Sequence, residues 1–443
     1  MSWSFETDPD FAAELAWVET FVREKVEPID LLVADPYDVA DPVRNDLIKP
    51  LQQEVKDRRL WACHLGPELG GPGYGQLKLA LLNEILGRSR TAPTVFGTQA
   101  PDTGNAEILA HFGTAAQKER YLEPLLDGRI VSCFSMTEPQ GGADPQVFTT
   151  TAVKDGDSWV INGEKWYSSN ARHAAFLIVM ALTNPEADSH RRFSMFIVPA
   201  ETPGIEIVRH VGHTPGTEGS HGYVRYTDVR VPADHVLGGE GEAFAIAQTR
   251  LGGGRIHHAM RTVGLVQRSL DLMCRRVLSR VTKGERLADK QSAQHAIAQS
   301  WAELESFRLL VLRTAWKIDR FQNYDQVRGD ISAVKAMMPK LLNDVASRAL
   351  HLHGSIGVSS ELPFLEYIYE AFTMGLVDGP TEVHEGVVAR AVLRNYEPYE
   401  GVFPDYHLPL LREQAELTHR DVLLRHGALS ESTAAGALAG GLR

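Results

Sequence analysis

The chain has 443 residues, of which 43% are apolar and 23% are charged, and its formal net charge is -12. A chain of this length and composition is expected to form two or three globular domains around a large buried core. The negative charge disfavours a nucleic-acid partner, because such partners are bound largely through neutralisation of their phosphates.

The cysteines, the apolar runs and the first ten residues indicate the cellular compartment of the protein. Cys63, Cys133 and Cys274 lie far apart, without the paired spacing of a zinc site or a disulfide framework. The longest uninterrupted apolar run, 174–182, has about half the length that spans a bilayer. The first ten residues lack the basic and apolar regions of a signal peptide. We therefore predict a cytoplasmic protein without a membrane partner.

The first 130 residues are predicted to be helical. Phe11, Leu15, Val18 and Phe21 recur at helical spacing, and residues 77–86 form another apolar stripe. Between them, the run 66–75 is too rich in glycine and proline for a regular element. These patterns predict an N-terminal α-helical domain over residues 1–130 with one irregular loop.

The pattern changes to short strands near residue 131. Turn signals separate six runs with strand character: 149–153, 159–161, 176–181, 193–198, 205–208 and 223–229. They predict a middle antiparallel β-domain over residues 131–243. Within it, we interpret Asn162-Gly163 as a tight hairpin turn.

Helical periodicity returns after Gly241. Three long periodic stretches, 263–280, 294–321 and 331–352, predict a helical bundle over residues 244–400, with Gly354 placed to end the last helix. The glycines at 252–254 are interpreted as preceding a helix start, where backbone can approach a ligand closely. Residues 401–443 are assigned to a C-terminal tail, whose stretch 434–441 is expected to fray.

The turn Asp378-Gly379-Pro380 is the first candidate for a functional site. A helical run stops at Gly375 and another begins at Thr381, so Asp378 is expected where two helices meet. Such a turn can aim one carboxylate into a cleft. Taken alone, an Asp-Gly pair is more often a simple turn.

Two further segments could hold a flat ligand rich in heteroatoms. In 134–144, a short strand runs into a glycine-rich turn, where free backbone N–H groups and the Thr137 hydroxyl are available. In 161–170, Trp166 and Tyr167 stand next to serine hydroxyls. Taken singly, each segment is better explained as an ordinary strand and turn. The histidine pairs lack supporting ligands, so we predict no metal site.

Taken in order over residues 8–395, these segments resemble the acyl-CoA dehydrogenase family. The resemblance rests on Pro67-Glu-Leu-Gly-Gly-Pro-Gly, Gly113-Thr-Ala-Ala-Gln-Lys, Thr137-Glu-Pro, Ile161-Asn-Gly-Glu-Lys, Asp228-Val-Arg-Val-Pro232 and Gly354-Ser-Ile-Gly357. Residues 250–258 and 378–384 look most similar to the subgroup of acyl-CoA dehydrogenase family members ten and eleven. Those proteins carry a fused kinase-like domain, which we do not expect in these 443 residues.

The resemblance implies an α+β multidomain fold with an N-terminal α-helical domain, a middle antiparallel β-domain and a C-terminal four-helix bundle. It implies a homodimer or homotetramer with one FAD per subunit, acting in fatty acid metabolism. The implied reaction is α,β-dehydrogenation of an acyl-CoA thioester, in which Asp378 takes the α-proton and flavin N5 takes the β-hydride. An electron-transfer flavoprotein would then take the electrons. Two alternatives of the same fold remain: a flavoenzyme similar to nitroalkane oxidases, and a non-catalytic flavoprotein.

The resemblance also implies positions in the site. Arg255 and Gly379 would line the substrate site. Within one subunit, the residues implied at FAD are Phe134, Met136, Thr137, Gly142, Tyr167, Ser169, Pro380 and Glu382. From a neighbouring subunit, Arg280, Gln291, His351, Gly354 and Ser355 would reach the same FAD. Asp378 stands where most of the family has Glu, and Gly254 occupies a position that some members use for the base, where glycine cannot serve.

Overall fold

The structure is a computed structural model that describes residues 6–213 and 218–428. The chain divides into two compact units, residues 1–388 and 389–443. No helix in the described ranges is both long enough and apolar enough to cross a membrane.

The N-terminal part of the first unit is helical, as predicted. Its helices are α1 (Pro9–Phe21), α2 (Pro42–Asp57), α3 (Gly75–Leu86), α4 (Ala92–Val95), α5 (Asp102–Phe112), α6 (Ala115–Gln117) and α7 (Glu123–Leu126). Asp8 and Asp41 cap α1 and α2 by accepting hydrogen bonds from backbone N–H groups of the first turn. The run 66–74 is irregular apart from a 3-10 turn, Pro67–Leu69, and α3 already begins at Gly75.

Eight strands form the main sheet of the middle region. They are β1 (Val131–Ser135), β2 (Thr151–Asp155), β3 (Ser158–Ser169), β4 (Ala174–Leu182), β5 (Phe193–Pro199), β6 (Ile205–Val211), β7 (His221–Pro232) and β8 (Val236–Leu237). The strand order is β6-β7-β3-β2-β4-β5-β8, and β1 pairs with β4. The sheet is mixed rather than purely antiparallel, because β1 runs parallel to β4. The β2–β3 hairpin lies between β1 and β4, and so long a connection permits a parallel pairing.

Both faces of β4 and β5 are buried. Side chains alternate across a strand, so one set packs against helices and the other packs inside the β-domain. The first set comprises Phe176, Ile178, Met180, Phe193, Met195 and Ile197. The second set comprises Leu177, Val179, Ala181, Phe196 and Val198. These two strands therefore join the β-domain to the helices.

The predicted hairpin turn at Asn162-Gly163 is wrong. β3 continues to Ser169 and shifts its register against β7 between Ile161 and Gly163. Gly163 has φ 147°, and a Cβ there would lie 2.5 Å from Thr150 Oγ1. Glycine is needed at this position for a bulge and a close approach rather than for a chain reversal. The reversal occurs at Gly156, which has φ 61°.

The C-terminal bundle of the first unit contains long helices. They are α8 (Ala243–Ser279), α9 (Gln291–Phe321), α10 (Tyr324–His353) and α11 (Phe364–Met374), with a small hairpin of β9 (Val281–Thr282) and β10 (Glu285–Arg286) between α8 and α9. A further helix, α12 (Thr381–Leu393), follows α11. Gly354, with φ 69°, ends α10 as predicted.

The glycines at 252–254 lie inside α8, so the prediction that they precede a helix start is wrong. Each one faces a different neighbour. A Cβ at Gly252 would lie 3.2 Å from the Tyr324 ring, and one at Gly253 would lie 3.3 Å from Glu107 Oε2. Glycine costs a helix about 1 kcal/mol relative to alanine. Here the cost is offset by close packing of α8 against its neighbours.

The second unit contains α13 (Leu408–Thr418) and α14 (Arg420–Arg425). The stretch expected to fray, 434–441, lies outside the described residues. The domain limits predicted at 130, 243 and 400 stay predictions.

Candidate active site

Asp378 lies in the turn between α11 and α12, where the sequence predicts it. Gly375 follows the last residue of α11, and α12 begins at Thr381. Asp378 has φ 55°, in the left-handed region that few side-chain-bearing residues adopt. Its side chain is 12% exposed. The turn therefore withdraws one carboxylate from most of the solvent.

Three side chains hold this turn by its carbonyl oxygens. Arg255 Nε of α8 donates a hydrogen bond of 2.9 Å to the carbonyl oxygen of Asp378, and His384 Nε2 lies 3.2 Å from the same oxygen. Lys335 Nζ of α10 donates to the carbonyl oxygens of Met374 (2.5 Å) and Gly379 (3.3 Å). Because a carbonyl oxygen only accepts, these contacts fix the backbone of the turn and leave the carboxylate free.

The Asp378 carboxylate faces α8 at Gly254. A Cβ at Gly254 would lie 3.1 Å from Asp378 Oδ2. His258 Nε2 is 3.8 Å from the same oxygen. Burial and the charge of Arg261 lower the pKa of His258 to about 4, so this histidine is neutral at pH 7. His258 therefore does not neutralise the carboxylate. The charges of Arg250, Arg255 and Lys335 act on it, but none of these side chains forms an ion pair with it in the described ranges.

The backbone N–H groups beside the carboxylate are also available. Among the described residues, the N–H groups of Asp378 and Gly379 have no hydrogen-bond partner. Oriented N–H groups of this kind can stabilise a carbonyl oxygen that gains negative charge. The turn therefore presents a carboxylate and two donors together.

Most residues implied to contact the flavin lie near the ends of β1 and β3, whereas Pro380 and Glu382 lie at the start of α12 beside the Asp378 turn. The hydroxyls of Ser135 and Ser168 point into the β-domain and lie 2.8 Å apart. Side chains alternate across a strand. Phe134 on β1, Met136 directly after it and Ser169 on β3 therefore face the opposite way, out of the β-domain interior.

Tyr167 extends this outward face. A register shift in β3 gives it φ 54° and leaves its ring 42% exposed. Trp166 N donates to the carbonyl oxygen of Thr137 at 2.8 Å, which places the two segments side by side. A Cβ at Gly142 would meet Thr137 Cγ2 at an ordinary 3.9 Å. The outward face thus has an exposed ring beside an open turn.

A buried ion pair ties the same two segments together. Lys165 Nζ lies 2.8 Å from Glu138 Oε1, both side chains are at most 1% exposed, and Lys165 also donates to the carbonyl oxygen of Met136. Burial disfavours the charged carboxyl, but the charge and hydrogen bond of Lys165 and the N–H of Thr149 outweigh it. The pKa of Glu138 falls to about 2 as a result.

Arg250 links the outward face of the strands to the Asp378 turn. Its guanidinium lies 3.9 Å from the centre of the Phe134 ring, and its Nε donates to Asn105 Oδ1 at 3.0 Å. One helical turn further along α8, Gly254 faces Asp378. One stretch of a single helix therefore touches both parts of the candidate site.

The residues implied to reach a second FAD lie at another end of the bundle. Arg280 follows α8, Gln291 begins α9, and His351, Gly354 and Ser355 lie at the exposed end of α10. Arg276 Nη2 donates to the carbonyl oxygen of His353, which joins the ends of α8 and α10. Along α8, Arg280 is about 39 Å from Gly254 at 1.5 Å per residue. The structure places these five residues at helix ends on this side of the bundle, away from the Asp378 turn of their own chain.

Sequence reasoning missed several of these side chains. The burial of Lys335 could have been predicted from the sequence. It lies four residues after Ile331 and three before Met338, at helical spacing with two buried apolar residues. No sequence pattern pointed to Glu107, although burial raises its pKa to about 7. The bond from His384 to Asp378 depends on the turn geometry, which spacing does not predict.

Family models for acyl-CoA dehydrogenases match the chain in three consecutive parts. The N-terminal domain matches residues 12–129, the middle domain residues 133–229 and the C-terminal domain residues 241–393. The chain therefore belongs to the acyl-CoA dehydrogenase family, whose members are flavoprotein oxidoreductases. The predicted family and its three-part fold are confirmed, and FAD is the cofactor of this family.

Individual relatives agree with this assignment. Acyl-CoA dehydrogenase FadE2 of Mycobacterium tuberculosis is 44% identical over 362 residues, covering 80% of this chain and 87% of that protein. Acyl-CoA dehydrogenase family member 11 of Mus musculus is 38% identical, covering 86% of this chain, and the chain spans only half of that protein. A solved structure described as an acyl-CoA dehydrogenase from Mycobacterium abscessus is 37% identical, with a TM-score of 0.82, and covers 89% of this chain and 100% of its own. The predicted likeness to family members ten and eleven is thereby confirmed.

Proposed function

We propose that the chain is a FAD-dependent acyl-CoA dehydrogenase that removes hydrogen from the α- and β-carbons of an acyl-CoA thioester. One observation carries the proposal: the Asp378 carboxylate is held by its backbone, is largely buried, has a neutral histidine beside it, and forms no ion pair with a lysine or arginine of the described residues. A carboxylate that is not neutralised by an ion pair can serve as a base.

The residues present fit a flavin. The exposed Tyr167 ring and the open turn at Gly142 leave room beside the Thr137 hydroxyl, which has no hydrogen-bond partner among the described residues. We infer that Phe134, Met136, Thr137, Gly142, Tyr167 and Ser169 hold the cofactor, with Pro380 and Glu382 closing the site. Arg280, Gln291, His351, Gly354 and Ser355 would contact the FAD of a second copy in a homodimer or homotetramer.

The chain supplies the base and the donors. FAD, when bound, would supply the acceptor for the hydride of the substrate. The α-C–H of a thioester is a weak acid, so its removal needs a positioned base and stabilisation of the charge that develops on the thioester oxygen. Asp378 Oδ2 receives the α-proton in the space that Gly254 leaves open. The unpaired N–H groups of Asp378 and Gly379 donate to the thioester oxygen, and Arg255 keeps the turn in place.

The acceptor and the location are part of the proposal. We infer that an electron-transfer flavoprotein takes the electrons and that the protein works in the cytoplasm. The supporting features are the family membership and the lack of a paired cysteine pattern.

The decisive experiment compares Asp378→Asn with the wild type by anaerobic mixing with a panel of CoA thioesters, followed through flavin absorbance. We expect the variant to retain FAD and acyl-CoA binding and to bleach about 10³-fold more slowly, as expected for loss of a general base. Asp405→Asn, at an exposed aspartate, is the matched control. Undiminished bleaching in Asp378→Asn would rule out this base.

Other outcomes would select another function. Bleaching by a nitroalkane but by no thioester would favour the oxidase alternative. A protein that holds FAD and is bleached by neither class of compound would favour a non-catalytic flavoprotein.

A further inference from the structure

A pair of histidines stands behind Ser169. His221 Nδ1 lies 2.8 Å from Ser169 Oγ. His221 Nε2 lies 3.0 Å from Nε2 of His213. His213 is exposed, whereas His221 is partly buried. A continuous line of hydrogen-bonding groups therefore leads from the outward face of β3 to the protein surface.

The local fold fixes this line. His221 is the first residue of β7 and pairs in register with Ser169 of β3 on one side and Val211 of β6 on the other. The Tyr167 ring lies 5.1 Å from the His221 ring and stacks on His213 at 6.3 Å with an interplanar angle of 29°. The two imidazoles are therefore held between strand pairing and an aromatic ring.

The contact between the two Nε2 atoms allows one hydrogen between them. If His221 carries it, His221 Nδ1 accepts from the Ser169 hydroxyl, and if His213 carries it, His221 Nδ1–H donates to Ser169 Oγ. Both arrangements satisfy every contact. Burial, and secondarily the repulsion that a protonated His213 would exert, lower the pKa of His221 to about 4, so His221 is neutral at pH 7. Among the described residues, Tyr167 and His213 are the titratable side chains whose rings contact His221.

We propose that Ser169, His221 and His213 form a proton relay between the flavin site and solvent, in which His221 is a positioning residue that acts through Ser169. This relay rests on the proposed function. Bound FAD would supply the redox chemistry: its oxidation by a one-electron acceptor, in two steps, would leave one proton to be carried away from the site. Ser169 Oγ takes that proton as its own hydrogen passes to His221 Nδ1. The hydrogen on His221 Nε2 passes to His213 Nε2, and His213 Nδ1 releases one to water.

The relay conserves hydrogen at each step. Ser169, His221 and His213 each gain one hydrogen and lose one, so a single proton leaves the protein and the electrons go to the acceptor. After one transfer, His221 carries its hydrogen on Nδ1 and His213 carries its hydrogen on Nε2. Both imidazoles must return to their starting tautomers before the next proton can pass. A neutral His221 is required in both arrangements.

The kinetic test uses His213→Ala, which removes the outer end of the relay and leaves the bond between Ser169 and His221 intact. The bound flavin is reduced with dithionite and then reoxidised with ferrocenium in H₂O and D₂O. We expect unchanged FAD content, reoxidation slowed about tenfold, a larger solvent isotope effect, and recovery on addition of imidazole. His190→Ala, at an exposed histidine of the same domain, should match the wild type. An unaltered rate and isotope effect in His213→Ala would overturn the relay.

A second measurement is independent of the flavin. Long-range ¹H–¹⁵N spectra of histidine-labelled protein without cofactor report the tautomer of each imidazole. We expect His221 to be neutral at pH 7, with both nitrogens at shifts averaged between the two tautomers, and to collapse to one tautomer in His213→Ala. A wild-type His221 locked in one tautomer, or charged at pH 7, would refute the relay. Failure of the protein to take up FAD would instead contradict the proposed function, and these spectra would still decide the relay.

Discussion

The carbonyl oxygen of Asp378 and Nε of Arg255 are joined by a 2.9 Å hydrogen bond across 123 residues of sequence. This bond fixes the backbone of a residue with φ 55° while leaving its carboxylate unpaired. A strained backbone conformation persists only where its surroundings hold it. Arg255, with His384 and Lys335, provides that hold.

Moving the carboxylate to the facing helix tests the geometry of the base. A Cβ at Gly254 would lie 3.1 Å from Asp378 Oδ2, so side chains at positions 254 and 378 reach the same part of the site. We expect Asp378→Gly to lose flavin bleaching and the double variant Asp378→Gly with Gly254→Glu to recover at least about tenfold, because a base is returned from the other side. Stopped-flow absorbance measures both. Gly254→Glu alone should crowd Asp378 and bleach more slowly than wild type. A double variant no faster than Asp378→Gly would contradict this geometry.

The neutrality of His258 is a separate prediction. Burial and Arg261 lower its pKa to about 4, so it adds no charge beside Asp378 at pH 7. We expect His258→Gln to stay within about threefold of the wild-type bleaching rate. We expect His258→Lys to slow it at least about tenfold, because a cation at this distance stabilises the carboxylate and weakens it as a base. Bleaching rates over pH 5 to 8 give the comparison, and equal rates in the two variants would show that charge at this position is immaterial.

Lys335 is expected to matter more to activity than to stability. Its ammonium is buried, and burial lowers its pKa to about 8 with Asp378 opposing the shift. Replacing it with methionine removes two bonds to the turn but also removes the cost of burying a charge, so the two effects on the free energy of unfolding largely offset. We expect Lys335→Met to shift the denaturant midpoint little while slowing bleaching about tenfold or more.

Lys340→Met is the control for Lys335→Met, since Lys340 lies on the same helix and pairs with Asp344 at the surface. It should leave bleaching unchanged. A Lys335→Met protein that keeps full activity, or that unfolds outright, would show that Lys335 does not act by holding the turn.

The Glu138–Lys165 pair predicts a stability change at acid pH. The pKa of Glu138 is about 2 in the folded protein against 4.5 for the free side chain. The stabilisation that Glu138 contributes is therefore fully present above about pH 4.5 and is lost as the pH falls towards 2. Denaturant unfolding at pH 3 and pH 6 should show a loss in wild type that is absent from Glu138→Gln.

Removing one partner of this pair should cost more than removing a surface partner. Glu138→Gln leaves Lys165 buried and unpaired, and we expect about 3–5 kcal/mol of destabilisation at pH 7. Adding Lys165→Met should recover part of it. In the matched control, Glu240→Gln breaks an exposed pair with Lys154 and should cost less than about 1 kcal/mol. Equal costs for the two pairs would contradict the role assigned to burial.

Much of the fold was predictable because it depends on local patterns. The helices on both sides of the β-domain, the turn at Asp378 and the end of α10 at Gly354 follow from apolar periodicity and turn residues. Two local interpretations failed, at Gly163 and at the glycines of α8. In both places a residue from another part of the chain leaves no room for a larger side chain. Thr150 lies against Gly163, and Tyr324 and Asp378 lie against the glycines of α8.

The sequence by itself determined the order of the domains, the family and the position of the carboxylate, because each can be recognised from short motifs that occur in a fixed order. Only the tertiary structure decided what surrounds that carboxylate. Arg255, His258 and Lys335 come from two helices, and their contacts with the Asp378 turn depend on how those helices pack. Charge, burial and hydrogen bonding at the site are therefore properties of the packed chain, since they depend on distances that no local pattern specifies.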